Sequence, residues 1–112
     1  MRILVVCGAG ASSTFVAQRV RAAAQSRGIE CEARAGSERS LEADDGALDI
    51  VLVGPHLETR MDLIRSGAAT RGALAVLLPS DVFSDLDGTR TLVLVQEALA
   101  SDHNIPEKET KQ

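Results

Sequence analysis

Cys7 closes the apolar run Ile3-Leu4-Val5-Val6 and is followed by Gly8-Ala9-Gly10-Ala11-Ser12-Ser13-Thr14. A thiol at a strand end, then a loop of small and hydroxylated residues leading into a helix, is a way to build an anion cradle around a nucleophile. Gly8 and Gly10 tolerate positive φ, so successive backbone N–H groups can turn toward one point. Ser12, Ser13 and Thr14 add hydroxyls and can cap the helix that starts there. The unpaired N–H groups and positive dipole end of that helix favour a bound phosphate. They also lower the pKa of a neighbouring cysteine, whose thiolate is the reactive form. The competing reading is a small buried core residue, the usual fate of a cysteine that ends an apolar strand. A purely structural strand end has no use for two glycines and three hydroxyls in the next seven residues. Cys7 is therefore read as a nucleophile that meets phosphate.

Other chemistry-bearing residues carry less. His56 follows Gly54-Pro55 and reads as an exposed turn residue, the functional alternative being a hydrogen bond to phosphate or contact with a partner. Arg60 reads as a solvated helix residue, with partner docking as the alternative, and His103 is assigned no role. Asp81, Asp85 and Asp87 fit turn chemistry better than a metal site or an acid/base pair. No zinc-ligand spacing occurs, and no cofactor is implied. Cys31 sits in a polar, alternating segment and reads as structural, oxidative pairing with Cys7 being the alternative.

The elements that must position Cys7 follow from periodicity. Residues 2–6 are a continuous apolar run, as in a strand covered on both faces. Over residues 13–27, Val16, Val20 and Ala23 or Ala24 share one face, which predicts an amphipathic helix closed by Gly28. Residues 29–35 alternate weakly and suggest an edge strand. Ser37 to Ala47 is polar and acidic, a loop with room for one helical turn. Residues 49–53 form a second buried strand, stopped by Gly54-Pro55; Leu57 to Ser66 is a helix, and Ala73 to Leu78 a fourth strand ended by Pro79. Asp85-Leu86-Asp87-Gly88 is a turn, and Thr89 to Ala100 a last helix with Leu92, Val95, Ala98 and Leu99 inward. Beyond it the chain turns polar and rich in lysine and glutamate, so the domain is placed at 1–101 and residues 102–112 are expected to form a disordered tail.

Alternating strands and helices at this spacing predict an α/β fold: an open, flavodoxin-like parallel sheet of four strands in the order 2-1-3-4, flanked by helices with right-handed crossovers. Ligands in such sheets bind at the carboxyl ends of the strands, where the order switches beside strand 1. Cys7, Gly54-Pro55-His56 and Pro79-Ser80-Asp81 all fall at that rim.

Composition narrows the function classes. At 112 residues the chain is one domain, with 45% hydrophobic and 25% charged residues. Phe15 and Phe83 are its only aromatics, which argues against the stacking platforms of single-stranded nucleic-acid binding. A net charge of −4 argues against duplex DNA and anionic membranes as partners. No run is long enough to insert in a membrane and no signal peptide is seen, while two cysteines outside any C-x-x-C pair suit a reducing cytoplasm. Residues 1–29 hold four arginines and no acid, the first being Glu30. A phosphate loop would gain from that absence, although solvation of the first helix accounts for most of those arginines.

Two cysteine–phosphate chemistries compete. Low-molecular-weight phosphatases and arsenate reductases of this fold use C-x5-R, whose arginine clamps the equatorial oxygens. The sixth residue after Cys7 is Ser13, and no Asp-Pro general acid exists, since the prolines follow Gly54, Leu78 and Ile105. A thiol without clamp or acid is poorly equipped to hydrolyse its own phosphoryl intermediate and better suited to pass it on.

Three segments give the chain a family likeness: Ile3-Leu4-Val5-Val6-Cys7 with Gly10, Ser12 and Ser13; Leu52-Val53-Gly54-Pro55-His56; and Phe83-Ser84-Asp85-Leu86-Asp87-Gly88. The chain resembles the IIB components of the phosphoenolpyruvate-dependent sugar phosphotransferase system, lactose/cellobiose type, over roughly residues 2–100. That resemblance implies that Cys7 takes a phosphoryl group from a phosphohistidine on a phosphorylated IIA protein and delivers it to a sugar bound by the membrane component IIC. It also implies that Gly8, Ala9, Gly10, Ala11, Ser12 and Ser13 cradle the phosphate with their backbone, and Ser12, Ser13 and Thr14 with their hydroxyls. Gly54, Pro55 and His56 would form the adjoining rim. His56 stands where the family usually has Gln, and Pro79 where many members have Asp. A phosphotransferase subunit of the cytoplasm is the expected function. A phosphatase or arsenate reductase with a degenerate loop, or a regulatory domain that kept only the fold, are the alternatives.

Overall fold

A computed structural model describes residues 1–6, 10–43, 47–81 and 88–111, and of residues 10–12, 42, 43 and 101–111 it describes the backbone alone. Cys7, Gly8, Ala9 and the Phe83–Asp87 stretch lie outside the described residues.

The chain alternates strand and helix: β1 (Arg2–Val6), α1 (Gly10–Ser26), β2 (Glu32–Gly36), α2 (Glu38–Ala43), β3 (Ile50–Val53), a 3-10 helix (Pro55–Arg60), α3 (Met61–Ala69), β4 (Leu74–Leu77) and α4 (Thr89–Lys111). The four strands form one sheet in the order β2-β1-β3-β4, and every pairing is parallel. The expected fold class and strand order hold.

Two cores explain why each strand reads as it does. Ile3, Val5, Ile50 and Leu52 face α1 and α4, where they meet Val16, Val20, Ala24, Leu92 and Val95. Leu4, Val6, Val51 and Val53 face α2 and α3, where Leu41, Met61, Ile64 and Ala68 close the second layer. β1 and β3, with helices on both sides, therefore have no polar face to show, and both are apolar throughout apart from Arg2. β2 lies at an edge and keeps Glu32 and Arg34 exposed on either side of buried Ala33.

Element ends differ from the periodicity in four places. α1 starts at Gly10, so Gly10-Ala11-Ser12 is helix where a loop was expected. β2 starts at Glu32 because the residues before it close α1: Gly28 sits at φ +70°, and the Ile29 N–H donates to the Ala24 carbonyl at 2.9 Å. The helix expected from Leu57 begins at Met61, after a 3-10 segment that Pro55 initiates and that breaks at Leu57 (φ −100°, ψ 17°). The backbone of α4 carries on past Ala100 to Lys111, although Pro106 lies within that stretch and offers no amide to the ladder; its core contacts come from Leu92 and Val95, with Leu94, Ala98 and Leu99 partly buried beside them.

Candidate functional site

The carboxyl rim of the sheet is assembled by backbone hydrogen bonds that continue the ladder beyond the strands. Val6 stands opposite Gly36 on one side and Val53 on the other. Its carbonyl accepts from the Gly54 N–H at 2.8 Å, and the Val53 carbonyl accepts from Leu78 N–H at 2.8 Å. Gly54 is thereby fixed against the residue that immediately precedes Cys7. It adopts an extended conformation (φ −61°, ψ 145°) and caps the 3-10 helix that Pro55 begins. Gly54 is buried, Pro55 half-buried and His56 exposed. Gly54-Pro55-His56 thus adjoins the end of β1, where the strand order changes direction.

The helix that follows Cys7 begins in a way that favours an anion. In a helix whose first residue is Gly10, the amides without an intrahelical acceptor extend to Ser12, and those of Ser13 and Thr14 enter the helix's own ladder. Gly10 has helical backbone rather than positive φ, which among the described residues is found only at Gly28, Gly72 and Gly88. The first turn contains no acidic residue, so nothing there offsets the dipole.

The hydroxyls divide. Ser13 is 1% exposed and faces inward, with a hydrogen-bond partner, whereas Thr14 is exposed on the outer side of the helix. The side chain of Ser12 lies outside the described residues. Of the seven residues expected to cradle an anion, Gly10, Ala11 and Ser12 lie in the first turn of α1, where amides have no intrahelical acceptor; Ser13 and Thr14 lie beyond it, while Gly8 and Ala9 lie outside the described residues.

Three features flanking this rim were not read from the sequence. Arg60, read as a solvated residue, donates from Nε to Glu38 Oε1 at 2.6 Å, tying the 3-10 helix to the start of α2. That hydrogen bond, with the Glu38 charge behind it, raises the Arg60 pKa above its ordinary value. Arg90 Nη2 lies 3.2 Å from both carboxylate oxygens of Asp81, so the ends of the 82–87 stretch are joined by an ion pair. Phe15 is 54% exposed on α1, with the Arg19 guanidinium 5.8 Å from its ring centroid. Only Phe15 had a usable signal, since Val16, Val20 and Ala24 define the inward face and leave it off that face.

Cys31 is the other thiol, at the opposite end of the sheet. It is half-buried, and burial pushes its pKa above the ordinary value. Among the described residues no helix is long and apolar enough to cross a membrane.

The family model described as PTS system, Lactose/Cellobiose specific IIB subunit, matches residues 2–93. Comparison with curated proteins gives no match. Among solved structures, the lactose-specific IIB component domain of the phosphoenolpyruvate:carbohydrate phosphotransferase system from Streptococcus pneumoniae is similar at a TM-score of 0.69 and 18% identity, over 87% of this chain and 95% of that one. The cellobiose-specific phosphotransferase IIB component from Borrelia burgdorferi is similar at a TM-score of 0.67 and 24% identity, over 90% of this chain and 93% of that one. At these identities the likeness speaks for the fold.

Proposed function

Since the chain belongs to the lactose/cellobiose-specific IIB subunit family of the sugar phosphotransferase system, we propose that Cys7 is its phosphoryl acceptor and donor. The thiolate attacks the phosphorus of a phosphohistidine on a IIA protein in line with the P–N bond. The S–P bond forms as the P–N bond breaks, and the electron pair returns to the imidazole nitrogen. In the second step a sugar hydroxyl bound by IIC attacks the same phosphorus. The O–P bond forms, the thiolate leaves, and the hydroxyl proton goes to a base on the IIC side. The site of both exchanges is cytoplasmic.

The observation that carries this reading is the start of α1 at Gly10, three residues after Cys7. It leaves the Gly10, Ala11 and Ser12 amides and the helix dipole to stabilise first the thiolate and then the phosphoryl oxygens. Gly54, held against Val6, walls the other side. The lack of an arginine at position 13 and of any Asp-Pro acid favours a carrier over a phosphatase, because the two groups with which those phosphatases work on the S–P bond are missing.

The test is incubation with phosphorylated IIA followed by intact mass and peptide mapping. The wild-type chain is expected to gain one phosphoryl group, mapped to Cys7, and Cys7→Ser to gain none. A wild-type chain that stays unmodified while IIA keeps its phosphate contradicts the proposal.

A further inference from the structure

β2 ends the sheet, and one hydrogen bond marks its outer side as guarded. The Glu32 N–H donates to the Met1 carbonyl at 2.8 Å, so Glu32 and Arg34 direct their backbone groups toward β1 while Cys31, Ala33 and Ala35 direct theirs away from the sheet. The outward Ala33 carbonyl is taken by Arg21, whose Nη1 donates to it at 3.1 Å from α1. An edge with outward N–H and C=O groups is a template for another strand. Here a single guanidinium occupies its middle.

The sequence of β2 also fits itself. In an antiparallel pair of two copies centred on Ala33, the two Ala33 residues exchange both backbone hydrogen bonds, as their outward groups require. Glu32 then stands directly across from Arg34 of the second copy, and Arg34 across from Glu32. The two side chains lie on the same face of the sheet, since they alternate with Ala33, and both are exposed, Glu32 also taking the Arg2 guanidinium at 3.1 Å within its own chain. Opposite charges directly across an antiparallel pair are favourable and like charges unfavourable. Shifting the centre by one residue in either direction loses that match and turns inward-bonded groups outward.

We propose that the outer edge of β2 is a self-pairing surface for a second copy of this chain, and that Arg21 keeps it closed. With the Arg21 guanidinium on the Ala33 carbonyl, a second strand must displace it to make the central pair, and the protein is monomeric. Withdrawing the guanidinium opens the edge to antiparallel pairing in the Ala33-centred register.

The experiment uses light scattering after size exclusion at about 100 μM, because a single strand pair is a small interface, together with hydrogen exchange over residues 31–36. Wild type is expected to be monomeric with fast exchange at Ala33 and Ala35. Arg21→Met, which keeps the aliphatic stem and removes the donor, is expected to dimerise and to slow those amides. Arg21→Ala guards against association driven by the methionine itself and is expected to behave alike. Adding Arg34→Glu, which sets Glu32 against a glutamate of the second copy, is expected to restore the monomer. Three results would overturn the proposal: both Arg21 variants folded yet monomeric, a dimer that survives Arg34→Glu, or wild type already paired through 31–36. Should both Arg21 variants fail to fold, Arg21→Gln, a good helix former with a shorter side chain, takes their place: it is expected to dimerise, and a folded monomer overturns the proposal.

Discussion

Gly88 is the residue where a single methyl group should do the most damage. Its φ is +77°, and a Cβ built there would lie 2.1 Å from the Arg19 carbonyl oxygen, 2.4 Å from the Arg19 carbonyl carbon and 3.0 Å from the Val20 nitrogen. All three atoms belong to the backbone of α1, so no side chain can swing aside. Substitution by alanine therefore costs about 1 kcal/mol for the left-handed conformation, and a displacement of α4 from α1 costs about 1–3 kcal/mol more. For a domain of this size that loss corresponds to a fall in Tm of very roughly 10 °C or more. Gly28 and Gly72 supply the control, because their φ values of +70° and +71° impose the same conformational cost while nothing lies within 4 Å of either Cβ. Urea denaturation of Gly28→Ala, Gly72→Ala and Gly88→Ala separates the clash from the dihedral. Gly88→Ala is expected to lose at least about 1 kcal/mol more than either control. Equal losses in the three variants would refute the claim that α4 is seated directly on the α1 backbone.

Further outcomes follow from the site. Phe15→Ala should change stability by no more than about 0.5 kcal/mol, since the ring is 54% exposed, yet slow phosphoryl uptake from IIA in single-turnover kinetics, because an exposed ring on the helix that follows Cys7 is placed to meet that partner; an unchanged rate would show that IIA does not touch Phe15. His56→Gln, which installs the residue common in the family at an exposed position, should leave that rate within about threefold, whereas a loss beyond about a hundredfold would make His56 an acid–base participant. Burial raises the Cys31 pKa above its ordinary value, so the folded state favours the neutral thiol. Its stabilising contribution is full below the unfolded pKa and is lost as pH rises through the folded one. Cys31→Ala should therefore flatten the decline in stability between about pH 8 and pH 11, and an identical decline in both proteins would show that the thiol contributes nothing.

The sheet was legible because its central strands leave little room for ambiguity. Ile3–Val6 and Ile50–Val53 are unbroken apolar runs, and the spacing between them admits only crossover helices, so topology followed from pattern. The candidate site was legible in outline, since a thiol, glycines and hydroxyls stand together in seven residues. Its detail was not. Whether Gly10 uses positive φ or opens a helix depends on where α1 starts, and glycine is compatible with either. Ser13 and Thr14 look alike as letters but fall on opposite sides of that helix, one against the core and one in solvent. The pairs Arg60–Glu38 and Arg90–Asp81 join residues on different elements, which periodicity within one element cannot connect.

The account depends on Cys7 being ionised at neutral pH by the start of α1, and its titration tests this most directly. The rate of alkylation at each cysteine, followed by peptide mapping across pH, gives both thiol pKa values in one protein. Cys7 is expected to titrate well below the ordinary value of about 8.5 and Cys31 above it. A Cys7 that titrates at or above the ordinary value, in step with Cys31, would contradict the account.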